Sequence, residues 1–250
     1  SDSQWNLLQP LLPPHKRLGR RPTPSRILLN AMLYLVKSGC PWQLLPKTFP
    51  PWKTVYDRFR KWCRDGTWLE LNESLRAVVR MEEGRNVEPS AAVLDSQTVR
   101  SDSHGGAVGY DAGKKTKGRK RFLLVDVLGL LLGVVVSPAD TPERVGAQAL
   151  LEPLLPRFGC LRKMWVDGGY SGSDFSGWVR KHAPKLNVEV VKRSDDLRGF
   201  RVLPRRWVVE RTFGWVMRHR RLVRDYEKTE SSAVGWMVVA LLRVMLGRIA

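Results

Sequence analysis

Three acidic residues have the sequence surroundings of catalytic carboxylates. Asp95 follows the apolar run AAVL, and Asp167 follows MWV and precedes two glycines. We therefore expect both aspartates at the ends of buried strands. Glu210 stands in RRWVVERTFGW, which has the spacing of a helix packed on those strands. Three carboxylates brought together repel one another unless a cation neutralises them, and an all-oxygen set without His or Cys favours Mg²⁺ or Mn²⁺ over zinc.

Each acid also has an ordinary structural interpretation. Aspartates at strand ends often form turns or cap helices. Glu210 lies one helical turn after Arg206, with which it can form an ion pair. The two interpretations of Glu210 are compatible, because Arg206 could hold its carboxylate in place until a metal ion binds. Together, the three acids favour a metal site at which two ions activate a water or hydroxyl and stabilise the leaving oxygen of a phosphodiester.

The charge balance predicts a phosphate-rich partner. The 250 residues contain 43 Lys and Arg against 24 Asp and Glu, a net charge of +19. This excess predicts salt-sensitive attraction to nucleic acid, and no amphipathic basic tail points to a membrane surface. The two longest apolar segments, 122–136 and 233–247, are short for membrane spans and are each interrupted by a charge. We expect them to form buried strands and a buried helix.

Other kinds of site have weaker support. The four histidines lie in no nucleophile motif such as GxSxG, and GGAVGYDAGKK lacks the GxxxxGK[ST] pattern of a P-loop. Cys40, Cys63 and Cys160 form no zinc pattern or disulfide framework, and SDSQWNLLQP does not resemble a signal peptide, so we expect a reducing cytoplasm. His219, in HRR, is interpreted as part of a basic surface, and the tryptophans, Trp207 among them, as mostly core.

The order of elements predicts two domains. Residues 1–84 contain short helices with basic surfaces, which is typical of a helix-turn-helix-like DNA-binding domain, with an ordinary helical bundle as the alternative. EGRNVEPS marks the boundary. Residues 85–250 then alternate strands and helices, with a hairpin around Gly129 and an apolar C-terminal helix. This order predicts an α/β domain, a mixed sheet with helices on its faces and ligands at its strand ends.

Basic residues in three parts of the chain are candidates for binding DNA backbone. The segment 103–121 is rich in Gly, Lys and Arg and is interpreted as a mobile loop. A second group lies on the arginine-rich helix predicted from about 204 to 220 and just after it, and a third lies near the N-terminus. The predicted DNA-contacting residues are Arg20, Arg21, Arg58, Lys61, Lys114, Lys115, Lys117, Arg119, Lys120, Arg121, Arg206, Arg211, Arg218, Arg220 and Arg221.

The motifs around these residues closely resemble those of bacterial insertion-sequence transposases of the DDE class, in the insertion-sequence-five family. GRRPTPSRILLNAMLYLVKSGCPWQLLP, followed by WKTVYDRFRKW, resembles that family's N-terminal DNA-binding module. VLDSQTVR, WVDGGY and RRWVVERTFGW resemble the segments of its three catalytic acids. The resemblance covers nearly the whole chain and implies an RNase H-like catalytic domain, in which Asp95, Asp167 and Glu210 bind two Mg²⁺ ions and Mn²⁺ can substitute.

The resemblance also implies a reaction. The expected protein is a DNA transposase that cleaves at transposon ends and transfers the freed 3′ hydroxyl to target DNA, working as a homodimer on double-stranded DNA in the bacterial nucleoid. Arg206 matches the family's Arg four residues before the Glu. The later basic position is Met217, with Arg218 adjacent, and Leu203 stands where related branches carry Tyr.

The spacing of the last two acids leaves one step of the reaction open. Asp167 and Glu210 are 43 positions apart, which leaves no room for the β-rich insertion that some DDE transposases carry between these acids, so the sequence does not indicate how the second strand is released. Two alternatives stay beside the transposase: a nuclease of the same fold that cuts without joining, and a non-catalytic DNA-binding protein descended from a transposase.

Overall fold

The protein divides into two compact units. The computed structural model describes residues 1–14, 22–102, 106–191 and 206–249. One unit, here called the helical unit, comprises Ser1–Arg85 and Trp215–Ala250, and the other, the sheet unit, comprises Asn86–Gly214. The N-terminal part of the helical unit ends at Arg85, one residue beyond the boundary predicted at residue 84. The C-terminal helix, which the sequence analysis placed in the second domain, has its contacts with the N-terminal helices in this division.

A long apolar helix forms the core of the helical unit. Its α-helices are α1 (Asp2–Leu8), α2 (Ser25–Ser38), α3 (Trp52–Arg64), α4 (Thr67–Glu82), α8 (Arg220–Val223) and α9 (Glu230–Ile249). Helix α9 contacts α2, α3 and α4, and most of its residues from Ser232 to Leu246 are buried. The helix is long enough for a membrane span, and its most apolar 18 residues have a mean hydropathy of 1.6. However, 67% of those 18 residues are buried inside the protein. The prediction of a buried helix is confirmed.

The sheet unit contains a mixed sheet with a helical layer against one face. Its strands are β1 (Ala91–Arg100), β2 (Gly109–Asp111), β3 (Thr116–Asp126), β4 (Leu131–Pro138), β5 (Lys163–Val166) and β6 (Asn187–Val190). The strand order is β2-β3-β1-β5-β6, with β4 also paired to β3. Strands β1, β3 and β4 pair antiparallel, whereas β1, β5 and β6 pair parallel. This mixed sheet, with helices packed on it, confirms the predicted α/β architecture and is consistent with an RNase H-like fold.

One face of the sheet carries the main apolar core. Helices α5 (Glu143–Leu151) and α6 (Ser173–His182) cover this face. Leu94, Phe122 and Leu124 point into the cluster from the central strands, and Leu150 and Phe175 point into it from the helices. Because side chains alternate across a strand, the residues between these core positions face the opposite side of the sheet. Asp95, which directly follows Leu94, therefore faces away from this core.

The interpretation of residues 103–121 as a mobile loop was wrong where this segment forms strands, at Gly109–Asp111 (β2) and from Thr116 onward (β3). Residues 116–121 belong to β3, which lies between β1 and β4, so Arg119, Lys120 and Arg121 are buried. The Nε atom of Arg119 donates to the backbone carbonyl of Ala107 at 3.2 Å. Such burial contradicts the prediction that these three cations contact DNA. Long strands on both sides of β3 hold this basic segment in the sheet, which its composition alone did not reveal.

Two further basic residues predicted at the surface are buried in the helical unit. Arg221 is 7% exposed, and its Nε and Nη2 atoms lie 3.0 and 2.8 Å from Oε1 of Glu227. Its guanidinium also lies over the ring of Trp236, 4.6 Å from the centroid. Burial raises the pKa of Glu227, and Arg221 opposes that rise. His219 is likewise buried, and burial lowers its pKa, so both the DNA-contact prediction for Arg221 and the basic-surface interpretation of His219 are corrected.

The buried pair gives a stability prediction. Arg221→Ala should lower the free energy of unfolding by about 3–5 kcal/mol, because it leaves the Glu227 carboxylate buried without its cation. The neighbouring Arg220 is exposed, and Arg220→Ala should change stability by no more than about 0.5 kcal/mol. Chemical denaturation of the two variants measures both values. Equal effects of the two substitutions would contradict the structural role of Arg221.

Candidate active site

Strand register places two of the predicted acids side by side. Strands β1 and β5 run parallel, with Val93 opposite Trp165. Asp95 and Asp167 each lie two residues further along, so they share one face on neighbouring strands. Strand β5 ends at Val166, as predicted, but β1 continues to Arg100, so the expectation that Asp95 ends its strand was wrong. Asp95 and Asp167 lie side by side because β1 and β5 pair in parallel, whether or not both strands end at these residues.

Helix α7 (Trp207–Met217) brings the third acid to the same face. Two hydrogen bonds fix the helix to the turn between β3 and β4: Arg211 Nη2 donates to the carbonyl of Leu128 at 2.9 Å, and Thr212 Oγ1 donates to that of Gly129 at 3.0 Å. Gly129 has a φ of 81°, a left-handed conformation that favours glycine in this hairpin turn. The turn predicted around Gly129 is thus confirmed, and it serves as the anchor of the helix that carries Glu210.

A single guanidinium joins the three acids. The Nη2 atom of Arg206 lies 3.4 Å from Oδ2 of Asp95, 3.9 Å from Oδ2 of Asp167 and 3.7 Å from Oε1 of Glu210. The side chain of Arg206 is only 15% exposed. Arg206 and Glu210 therefore form the predicted ion pair. The same arginine also contacts Asp95 and Asp167, so the ion pair does not prevent the three acids from lying near one another. The three carboxylates surround one positive charge.

The acids differ in burial and in local hydrogen bonding. Asp95 is 9% exposed, its Oδ1 accepts the Ser96 N–H at 2.7 Å, and burial raises its pKa to about 6. The Oδ1 of Asp167 accepts the Gly169 N–H at 2.9 Å and so caps the short turn Gly168–Tyr170. Glu210 is the most accessible, with its side chain 48% exposed. The site thus runs from a buried carboxylate to a solvent-facing one.

A partly buried polar network, formed by Tyr170, Glu143 and Lys120, was missed by the sequence analysis. The hydroxyl of Tyr170 donates to Oε2 of Glu143 at 3.1 Å, and Oε1 of Glu143 pairs with Nζ of Lys120 at 3.2 Å. Burial raises the pKa of Tyr170 well above its usual range. Because Tyr170 ends the turn that Asp167 caps, the network supports that turn from the core side. Two features of the sequence could have indicated this network. Tyr170 is the tyrosine of WVDGGY, and Lys120 lies in the basic segment that was interpreted as a loop.

The donor set fits a divalent cation. Three carboxylate groups, one from each of three elements, already surround a cationic nitrogen, which stands in for the positive charge of a metal ion. Among the residues that the structure describes, no three acidic, His or Cys side chains are close enough to hold a metal together as they stand. Metal–oxygen distances of about 2.0–2.1 Å for Mg²⁺ require the carboxylates to close further.

The other predicted DNA contacts fall into three groups. Lys114, Lys115 and Lys117 are exposed at and just after the turn between β2 and β3, and Lys61, Arg218 and Arg220 are exposed in the helical unit. Arg58 and Arg211 are partly exposed and lie over the rings of Trp62 and Trp207. Arg20 and Arg21 lie outside the described residues.

Trp207 differs from its expected place in the core. Its side chain is 39% exposed, and it lies between Arg206 and Glu210 in the first turn of α7. The guanidinium of Arg211 covers its ring at 4.3 Å from the centroid. Helical spacing alone could not separate this position from the buried Val208 and Val209 that follow it. An exposed aromatic ring is a surface on which a base can stack.

Comparison with known proteins assigns both parts of the chain to one class. A family model described as "Transposase DDE domain" matches residues 87–245, which include all three acids, and one described as "Putative transposase of IS4/5 family" matches residues 1–72. The "Insertion element IS402 uncharacterized 16.2 kDa protein" of Burkholderia cepacia is 33% identical over 115 residues, 43% of this chain and 77% of that protein. The "Uncharacterized protein y4sN" of Sinorhizobium fredii (strain NBRC 101917 / NGR234) is 28% identical over 104 residues, 41% of this chain and 77% of that protein.

The burial of Asp95 predicts a pH-dependent cost to stability. A carboxyl whose pKa is about 6 when folded and 3.8 otherwise binds more protons in the folded state, so stability falls as pH rises from about 4 to 6. In the absence of divalent metal, Asp95→Asn should remove this fall and raise the free energy of unfolding at pH 7.5 by up to about 3 kcal/mol. Denaturation at pH 5 and pH 7.5 measures the difference.

A matched control comes from an exposed acid in the same unit. Glu152 is exposed at the end of α5, so Glu152→Gln should leave the pH dependence of stability as it is in the wild type. If Asp95→Asn also shows the wild-type pH dependence, ionisation of Asp95 does not lower the free energy of unfolding, and the prediction is wrong.

Proposed function

The chain belongs to the insertion-sequence DDE transposases, a family of DNA-acting enzymes that use divalent metal ions, and we propose that it cleaves DNA at the ends of its element and joins the freed 3′ hydroxyls to target DNA. The observation that carries this proposal is the meeting of Asp95, Asp167 and Glu210 around one cationic group. The family model spans all three residues.

The three carboxylates are proposed as ligands of Mg²⁺, with Mn²⁺ able to substitute. Two such ions would activate the attacking water or 3′ hydroxyl and stabilise the leaving oxygen of the phosphodiester. The chain's own contribution is placement: the β1–β5 register fixes the two aspartates, and the α7 anchor fixes Glu210. Burial of Asp95 at one side of the site excludes water there, and exposure of Glu210 leaves the other side open to DNA.

DNA contacts are proposed at the exposed cations on both units. In the sheet unit these are Lys114, Lys115 and Lys117, at the turn of the β2–β3 hairpin. Strand β3 runs seven residues from Leu123, which pairs with Asp95, to Thr116 at the turn. At about 3.3 Å per residue the turn lies roughly 23 Å from Asp95 along the strand, which is about seven base pairs of B-DNA. The hairpin would therefore contact backbone away from the cleaved bond.

The helical unit is proposed to bind the transposon ends. It matches the N-terminal transposase model over residues 1–72, and α3 carries Arg58 and Lys61 on its outer side. Transposition requires two ends to be held together, so a homodimer assembled on double-stranded DNA in the nucleoid is part of the proposal. The buried cations Arg119, Lys120, Arg121 and Arg221 are not part of the proposed DNA surface.

Substitution of the acids tests the catalytic assignment. Asp95→Asn, Asp167→Asn and Glu210→Gln should each abolish Mg²⁺-dependent cleavage and strand transfer, because each removes a proposed metal ligand. Binding of end DNA should remain within a few-fold of wild type. Gel assays with the element's own end duplex measure cutting, joining and binding in parallel. Full cleavage by any one variant would remove that residue from the site, and cleavage without joining by the wild type would favour the nuclease.

Neutralising the hairpin turn tests the DNA surface. The triple substitution Lys114→Gln, Lys115→Gln and Lys117→Gln should weaken DNA binding and lower the slope of log affinity against log salt by up to about 2.7, since each phosphate that is no longer neutralised lowers it by about 0.9. A matched control removes three exposed cations from α6 and the segment after it, by Arg180→Gln, Lys181→Gln and Lys185→Gln. Equal slopes for the two triple variants would mean that the hairpin makes no specific contribution.

A further inference from the structure

Arg206 is held among the acids by charge rather than by tight hydrogen bonds. One atom, Nη2, makes all three ion pairs, at 3.4, 3.7 and 3.9 Å. Charge-assisted hydrogen bonds between nitrogen and oxygen are about 2.7–2.9 Å long, and arginine usually binds a carboxylate through two nitrogens. The Nε atom is buried and has no hydrogen-bond partner among the described residues. No single acid therefore holds the guanidinium, which is shared by three.

The guanidinium and a metal ion need the same place. Mg²⁺ binds carboxylate oxygens at about 2.0–2.1 Å, so an ion that two or more of these acids bind must lie in the space between them. Nη2 of Arg206 occupies that position, and around it the acids stand too far apart to ligate a metal together. A metal ion cannot enter the position of Nη2 while the guanidinium fills it, because the two groups would overlap and because their distances to the acid oxygens differ. Occupancy by one excludes the other.

We propose that Arg206 is the resident counter-cation of this site and competes with divalent metal for Asp95, Asp167 and Glu210. The inference rests on the proposed function, since it takes the three acids to be the metal ligands. Arg206 stabilises the metal-free protein by neutralising carboxylates that would otherwise repel one another. A metal ion must displace its side chain before the acids close around the ion. Arg206 is thus a positioning residue. Because it competes with the metal ion, its presence lowers the affinity of the three acids for metal.

The test measures Mn²⁺ binding to the full chain without DNA, by titration with detection of free Mn²⁺. Arg206→Gln removes the competing charge and should bind Mn²⁺ about tenfold more tightly than the wild type. Arg206→Lys keeps a positive charge near the acids and should stay within about threefold of the wild type. The matched control Arg180→Gln removes an exposed arginine from the same unit and should not change the affinity.

Thermal denaturation supplies a second readout. In EDTA, Arg206→Gln should melt below the wild type, because the acids lose their counter-charge, and added Mn²⁺ should raise its melting temperature by more than it raises that of the wild type. A merely structural Arg206 would lower the melting temperature with and without Mn²⁺ and would not tighten binding.

The outcomes separate the inference from the function on which it rests. Equal or weaker Mn²⁺ binding by Arg206→Gln, with binding still abolished by Asp95→Asn, overturns the competition and leaves the metal site standing. Mn²⁺ binding that is unaffected by Asp95→Asn, Asp167→Asn and Glu210→Gln overturns both the competition and the proposed role of the acids.

Discussion

Three ionised carboxylates from three separate elements repel one another, and the positive charge of Arg206 among them is the interaction on which the arrangement of this site depends. The β1–β5 register sets the spacing of Asp95 and Asp167, and the hydrogen bonds from α7 to the β3–β4 turn set the position of Glu210. The same two hydrogen bonds also position Arg206, which directly precedes α7. Its guanidinium reduces the repulsion among the three carboxylates when no metal is bound. A site proposed to hold a divalent ion thus carries its own counter-charge, at the end of the helix that brings the last ligand.

Burial divides the chain's basic residues into two groups with different roles. Arg119, Lys120, Arg121 and Arg221 lie inside the protein, where Lys120 joins the network of Glu143 and Tyr170 and Arg221 pairs with Glu227. Exposed cations, such as those at the β2–β3 turn, remain accessible to phosphate. The net charge of +19 therefore overstates the charge that can face DNA. Part of the basicity of this protein stabilises its fold.

Prediction from the sequence succeeded where local pattern and residue type were sufficient. The hairpin at Gly129, the strand before Asp167 and the buried C-terminal helix follow from glycine conformation, apolar runs and helical spacing, and the structure contains all three. It failed where neighbours decide the outcome. Residues 119–121 of the basic segment became part of a buried strand because β1 and β4 flank them, and Trp207 is exposed although Val208 and Val209, which follow it in α7, are buried.

The sequence by itself determined which residues are available for chemistry, because three acids in recognisable motifs and a large excess of cations are properties of the chain. It also determined the α/β character of the part that carries the acids. Only the tertiary structure decided that Asp95 lies within a strand, that one arginine serves all three acids, and that the last helix joins the N-terminal ones. The reason is physical: strand register, burial and ion pairing are set by residues far apart in sequence, and only folding brings those residues together.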